Sequence, residues 1–185
     1  GVTASYMRAL EQRLGIRFEI VHKDSWAEVV AAFERGEIDV LSALGMTPDR
    51  QQTMRFTQPY IEFADGIIVR NDERYAENLA DFPAGKRLAV VEGYSTGVVA
   101  AQSHPQLVVI PVRNTEEALF SVSTGRADLA VVTLAVAYHL TQAKGLSNLR
   151  VAANFDGDSQ EQSMAVQPAL AALVPIFDKA LQSIP

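Results

Sequence analysis

The sequence contains no cysteine. Disulfides and thiolate metal sites are excluded, and the absence suits an oxidising compartment such as a bacterial periplasm, where a stray thiol would be at risk. No stretch reaches the ~20 consecutive apolar residues that a membrane-spanning helix needs. There is no basic run either: 16 Lys and Arg stand against 22 Asp and Glu, for a formal net charge of −6. Nucleic acid is therefore not an expected partner, nor is an anionic membrane surface. His22, His104 and His139 share no ligand spacing with one another or with carboxylate pairs, so no metal and no other cofactor is implied. The chain opens on Gly1 rather than Met, and reads as an excised or processed piece.

What is present is a chain of 185 residues, 48% of them hydrophobic, enough to bury a core as one domain or two small lobes. Helical and strand patterns alternate. Tyr6, Met7, Leu10 and Leu14 repeat at helical spacing over residues 3–14, and Gly15 can end that helix. Residues 16–22 alternate as a strand. Ser25 with Glu28 forms a capping box before an apolar helix ending at Gly36, and 38–44 reads as a strand. Thr47 followed by Pro48 reads as an N-cap with proline at the first helical position. Beyond Pro59 the pattern predicts strands at 66–70, 87–92, 107–112, 128–133, 149–153 and 163–167. Between them lie helices opening at Ser95, Thr115, Leu134 and Pro168, and a short one at 78–82; Ser95 and Thr115 are the expected caps. The polar segment 156–162 reads as a linker. Such alternation predicts an α/β fold with open, mainly parallel sheets covered by helices on both faces.

One weak repeat stands out. Trp26–Leu41 and Thr115–Ala130 align without gaps as an amphipathic helix, Gly-x-x-Asp and an apolar strand, with Gly36 matching Gly125 and Asp39 matching Asp128. Any two α/β units look somewhat alike; the sharper reading is two similarly built lobes, each with one copy.

Gly36-Glu37-Ile38-Asp39-Val40, Met46-Thr47-Pro48-Asp49-Arg50 and Phe56-Thr57-Gln58-Pro59-Tyr60 follow in order. Leu79–Gly85 with Leu88-Ala89-Val90, Gly93-Tyr94-Ser95 and Gly125-Arg126-Ala127-Asp128 come after them. In this ordered set the chain resembles bacterial extracellular solute-binding proteins of family 3, the amino-acid receptors and the homologous sensor domains of membrane kinases. The resemblance implies a periplasmic-binding-protein-like type II ("Venus flytrap") fold. The whole of 1–185 would be one solute-binding domain, with lobe one at 1–62 plus 163–185, lobe two at 63–162, and two crossovers. The family's first strand is missing and its C-terminal helical extension is short; an excised domain or a sensor variant accounts for both.

The resemblance assigns Arg50 the ligand carboxylate, held by a planar guanidinium fork that lysine cannot copy. Read alone, an arginine is more often a solvated surface residue. Ser42 and Gly45 sit at the C-terminal end of a strand, where ligands of open α/β sheets bind, and with Met46 they are candidate contacts. Trp26 is a candidate aromatic wall, although packing alone would explain it. Gly93-Tyr94-Ser95-Thr96-Gly97 fits a hydrolase Gly-x-Ser-x-Gly, with Asp128 and His139 downstream. Asp128 nevertheless starts its strand, His139 lies mid-helix, and no oxyanion loop is visible. Ser95 and Thr96 read better as an anion-binding helix start, and no enzymatic activity is expected. Thr133 stands where the family's amino-acid receptors often place an acid for the ligand ammonium. A neutral hydroxyl cannot neutralise that cation, so either another carboxylate does so or the ligand is a different small anion.

The expected function is an extracytoplasmic sensor domain that closes on a small carboxylate or amino-acid-like solute and signals through a membrane protein such as a histidine kinase. The expected location is periplasmic, tethered to the inner membrane by flanking segments, with dimerisation within the sensor. A free receptor of an ABC transporter and a regulatory domain of a lytic transglycosylase are the alternatives. One anion bridging Arg50 and the Ser95–Thr96 helix start would supply the differential contacts that closure requires.

Overall fold

The computed structural model describes residues 1–74, 76–155 and 161–184. The chain divides into two compact units: Gly1–Asp24, Glu28–Glu62 and Glu161–Pro185 form the first, and Ser25–Ala27 with Phe63–Gln160 the second.

The chain begins in the first unit with α1 (Val2–Leu14), α2 (Trp26–Glu34, whose first two residues belong to the second unit), β1 (Val40–Leu44), α3 (Pro48–Thr53), β2 (Arg55–Phe56) and β3 (Ile61–Glu62). The second unit contains β4 (Asp65–Arg70), a 3₁₀ turn at Leu79–Asp81, β5 (Arg87–Val91), α4 (Ser95–Ser103), β6 (Val108–Val112), α5 (Thr115–Ser123), β7 (Leu129–Thr133), α6 (Leu134–Lys144) and β8 (Leu149–Phe155). The chain then returns to the first unit through β9 (Glu161–Val166), a 3₁₀ segment at Pro168–Leu173 and α7 (Val174–Gln182). Of the expected 156–162 linker, Glu161 and Gln162 belong to β9; the rest lies outside the described residues.

The first unit's sheet is organised by β9. It pairs antiparallel with β1 on one side and with β2 and β3 on the other. Met164 and Val166 point from it into a core with Leu10 of α1 and Phe177 and Leu181 of α7. The motif Phe56–Tyr60 fastens this arrangement. Thr57, 2% exposed, donates its hydroxyl to the Gln58 carbonyl (2.9 Å) and accepts from the Met164 N–H (2.9 Å). The Gln58 N–H donates to Asp178 of α7 (2.7 Å), and the Tyr60 hydroxyl donates to the Ser42 carbonyl. Burial raises the Tyr60 pKa, because the phenolate would be desolvated there.

In the second unit the strand order is β6-β5-β7-β4-β8. Successive residues point to opposite faces. Ile67, Val69, Leu88, Val90, Leu129 and Val131 join one core with Leu79, Phe82 and Ala100. Ile68, Ala89, Val91, Ala130 and Val132 join the other with Ala118, Leu119 and Val122 of α5 and Ala137 of α6. Helical segments thus cover both faces, which is why these strands read as near-continuous apolar runs.

The α/β architecture is as expected, but the sheets are mixed. Among the described residues, parallel pairing is confined to β5 with β6 and β7. The strands β4 and β9 run against their neighbours. Both are the strands by which the chain enters a unit. Neither follows a strand of its own sheet through a helical crossover, the connection that parallel pairing requires.

Three local expectations change. Residues 16–22 form no strand; β1 pairs with β9 alone among the described residues, and Ile20 is 76% exposed. Alternation marks a face but does not supply a ladder partner, and only Phe18 packs inward, against Phe177. The side chain capping α5 is Asn114, which accepts from the Glu117 N–H (2.8 Å); Thr115 is the first helical residue. Ser95 is likewise the first residue of α4, with Tyr94 preceding it. Thr47 does cap α3 as expected, accepting from the Arg50 N–H (3.3 Å). The repeat survives as local structure: α2 and α5 each span nine residues and lead, at equal spacing, into β1 and β7.

Asp128, just before β7, is held by Arg87 at the start of β5. The guanidinium donates from Nε (3.0 Å) and Nη2 (2.9 Å), and the Arg87 N–H donates as well (2.8 Å). Arg70 lies 3.8 Å away and donates to the Val122 and Ala127 carbonyls, closing the end of α5. The Arg87 hydrogen bonds outweigh desolvation and hold the Asp128 carboxyl below the usual range.

Two outcomes follow for stability. Thr57→Val leaves the buried Met164 N–H without its acceptor and is expected to lower unfolding free energy by about 1–3 kcal/mol, read from urea titration; an unchanged midpoint would show that this N–H finds another partner. Asp128 has a folded pKa below its unfolded one. Its stabilisation is therefore complete above the unfolded value, about 4, and is lost as pH falls through the folded value. Asp128→Asn should lower the urea midpoint at neutral pH and flatten its decline in acid. An acid decline as steep as in the parent chain would place that sensitivity elsewhere.

Candidate functional site

In the first unit, β1 ends at Leu44 and the chain passes through Gly45 and Met46 to the Thr47 cap of α3. This short path places Arg50 of α3 back over the loop, where its Nη1 donates to the Gly45 carbonyl at 2.7 Å. Gly45 is buried and Arg50 is half-buried. Burial lowers the Arg50 pKa, since desolvation disfavours the charged form. Ser42 is half-buried in β1, and its carbonyl is taken by Tyr60. Met46 is 44% exposed, and Gln51 Nε2 lies 3.2 Å from its sulfur. The structure therefore brings Ser42, Gly45, Met46 and Arg50 together. The Arg50 guanidinium is oriented by the Gly45 carbonyl.

In the second unit, the C-terminal ends of the parallel strands β5 and β7 define one edge of the sheet. The Gly93-Tyr94 turn leads from β5 into α4, and Thr133 passes directly from β7 into α6. Gly93 has φ +79°, and a Cβ there would come within 2.7 Å of the Trp26 ring. Trp26 donates from Nε1 to the Gly93 carbonyl (3.0 Å) and meets the Tyr94 ring edge-on, with centroids 5.9 Å apart. The helix begins close to its strand: a Cβ on Gly97 would come 2.3 Å from Val90 Cγ1. The two glycines of Gly-x-Ser-x-Gly are thus accounted for by a tight turn and by close helix–strand packing.

Ser95 and Thr96 lie in the first turn of α4. The Thr96 hydroxyl donates to Asp65 Oδ2 (2.9 Å), and the Thr133 hydroxyl donates to Asp65 Oδ1 (2.8 Å). Asp65 opens β4 directly opposite Thr133 in the antiparallel ladder and is 5% exposed. Its backbone is fixed by neighbours on both sides. The Leu134 N–H donates to the Ala64 carbonyl (2.9 Å), and a Cβ on Gly66 would lie 2.2 Å from Leu134 Cδ2. Two of the candidate residues, Thr96 and Thr133, thus converge on a carboxylate that sequence reasoning missed, and Ser95 precedes Thr96 in the same helical turn. The signal was present: a single acid heading the otherwise apolar run Gly66-Ile67-Ile68-Val69, five residues after Tyr60.

A serine-hydrolase triad is not assembled. Asp128 lies beside Arg87 at the start of β5, at the opposite end of the strand from Ser95, roughly 16 Å along it by strand rise. Its carboxylate is engaged by Arg87, and His139 is exposed on α6. No metal-binding group of three or more His, Asp or Glu occurs among the described residues, and no helix there is long and apolar enough to cross a membrane.

The arrangement has counterparts among known proteins. The virulence sensor protein BvgS of Bordetella bronchiseptica is 29% identical over 184 residues, a match covering 100% of this chain and 15% of that protein. The chain therefore spans a small part of that relative's length. The amino-acid-binding protein AabA of Dichelobacter nodosus is 25% identical over 176 residues, 94% of this chain and 68% of that protein. The crystal structure of the BvgS periplasmic VFT2 domain of Bordetella pertussis superposes with a TM-score of 0.86 at 29% identity, covering 100% of this chain and 78% of that one. The fold is the Venus flytrap fold of periplasmic binding proteins, and these likenesses are to binding domains rather than to catalytic ones. The profile of the bacterial extracellular solute-binding proteins, family 3, matches residues 1–185, and the chain belongs to that family.

Proposed function

We propose that this chain is the extracytoplasmic sensor domain of a membrane signalling protein, and that it binds a small carboxylate or amino-acid-like solute with Arg50 as the carboxylate-holding residue. The observation that carries the sensor reading is the match to BvgS over the full chain. Arg50 supports the ligand reading because its guanidinium is partly desolvated and braced by the Gly45 carbonyl, so less rotamer freedom is lost when a carboxylate docks. Ser42, Gly45 and Met46 are proposed as further contacts in the first unit, and Trp26, Ser95, Thr96 and Thr133 as candidates in the second. A periplasmic location and tethering to the inner membrane by flanking segments belong to the same proposal, as does dimerisation of the parent sensor.

A free transport receptor is the second reading. It is favoured by the amino-acid-binding protein AabA, of which the match covers 68%, against 15% of BvgS. The two readings separate on the sequence flanking this segment in its parent protein. A transmembrane helix followed by a kinase region supports the sensor; a lipoprotein signal before the domain and a stop after it would refute it.

Ligand binding is tested by thermal-shift screening of small carboxylic and amino acids, followed by calorimetry. Arg50→Lys keeps the charge but loses the planar fork, and is expected to weaken binding by about tenfold or more without lowering the unfolding temperature; Arg50→Ala should weaken it further. Equal affinity in Arg50→Ala would end the assignment. A fluorophosphonate probe should leave Ser95 unlabelled, and covalent labelling there would overturn the non-enzymatic reading.

A further inference from the structure

We infer that the first unit carries a docking site for an acidic amphipathic helix, in the cleft where the C-terminal end of α1 meets the outer face of α7. The inference stands apart from the ligand-binding reading and uses none of its residues.

The cleft measures about 450 Å³ and is lined by Leu14, Pro175, Ile176 and Ala180 together with the cations Arg13 and Lys179. From α7 it takes Ile176, Lys179, Ala180 and Ser183, the i, i+3, i+4, i+7 stripe of one helix face, about 10 Å long by helical rise. α7 buries another face in the core, where Phe177 and Leu181 meet Leu10 and Met164. A surface helix ordinarily has one apolar stripe, facing the core. Here Ile176, 48% exposed, lies outside that stripe and lines the cleft with Leu14 of α1.

The neighbouring charges define the partner that fits. Arg13 is held in place: Nε donates to Ser183 Oγ (2.7 Å) and Nη2 to the Ser183 carbonyl (2.8 Å). Both acceptors are neutral, so the positive charge is oriented without being matched. Lys179 shares the cleft, and among the described residues neither cation forms an ion pair. Asp178, next in sequence, is engaged by the Gln58 N–H. Lys86, Arg87, Arg113 and Lys144, by contrast, each meet a carboxylate. The last turn of each helix favours a cation through the helix dipole, which accounts for one basic residue at each place. It does not account for two unmatched cations sharing one apolar cleft on a chain of net charge −6. An acidic partner meets repulsion from the chain as a whole and attraction at this cleft.

The backbone decides the form of that partner. α1 and α7 pair their N–H and C=O groups within themselves, so an added strand would find no ladder here. A helix arrives with its own backbone satisfied. Laid along the stripe, it sets an apolar anchor against Ile176 and Leu14, and a carboxylate three or four residues away reaches Arg13 or Lys179.

The test uses two synthetic helical peptides of about 15 residues, alike in leucines at i and i+4 and differing in whether glutamate or lysine flanks them. NMR titration of the 185-residue chain measures both. The glutamate peptide is expected to shift the resonances of Leu14, Ile176 and Ala180, and to bind about tenfold more tightly than its lysine twin. Lys179→Glu should remove most of that preference, and Ile176→Ser should weaken both peptides. Both side chains are exposed, and an unchanged unfolding temperature reports an intact fold. Failure of the glutamate peptide to bind overturns the inference, as does equal binding of the two peptides or a preference that survives in Lys179→Glu. Self-association of the chain that Ile176→Ser abolishes would assign the cleft to a second copy and overturn it as well.

Discussion

The second unit is organised around one demand: a carboxylate out of contact with water needs donors on both oxygens. Asp65 is the first residue of a strand whose following residues are buried on both faces, so its side chain cannot turn to solvent without withdrawing β4 from the sheet. The donors come from the first turn of α4 and the last residue of β7. Meeting that demand fixes where α4 starts, how β7 hands over to α6, and which residues share the sheet edge. Thr96 and Thr133 occupy their positions as the two donors.

The two aspartates of this unit show how environment separates roles for one residue type. Asp128 meets two arginines at the start of β5 and joins strand, helix end and loop into one electrostatic clamp. Asp65, at the other end of β7, meets only hydroxyls among the described residues. Hydroxyls orient a carboxylate without neutralising it. The sheet therefore has a charge-matched end that ties strand, helix end and loop together, and an opposite end where an acid is oriented by hydroxyls alone among the described residues.

Much of this was legible in the residues, and the gaps have physical causes. Helical spacing of Tyr6, Leu10 and Leu14, the Thr47-Pro48 cap and the glycines at 36 and 125 mark elements whose causes are local, and the structure contains each of them. The strand expected at 16–22 failed because alternation cannot supply a partner. The two-residue strands β2 and β3 were invisible because, among the described residues, they exist only through pairing with β9, about a hundred residues later. The cap of α5 moved from Thr115 to Asn114 because neighbouring polar residues compete for the same amide, and spacing alone does not decide between them. Asp65 was passed over for a related reason. Its importance lies in Thr96 and Thr133, distant in sequence, and nothing local to residues 61–70 reveals that they converge on it.

The dependence of the first unit on β9 bears on how the molecule is made. β1, β2 and β3 emerge from the ribosome early, yet the strand that pairs with all three is encoded after the second unit. During synthesis the second unit, almost contiguous in sequence, has its described strands and both cores before β9, the pairing partner of β1, β2 and β3 among the described residues, is made. The first unit must therefore keep its apolar residues from aggregating until Met164 and Val166 arrive to close the core. Sheets that wait for distant partners form slowly and expose unpaired edges meanwhile. A nascent chain halted before residue 161 would hold a complete second unit and an unpaired first one, so the burden of early chaperoning falls on the N-terminal segment.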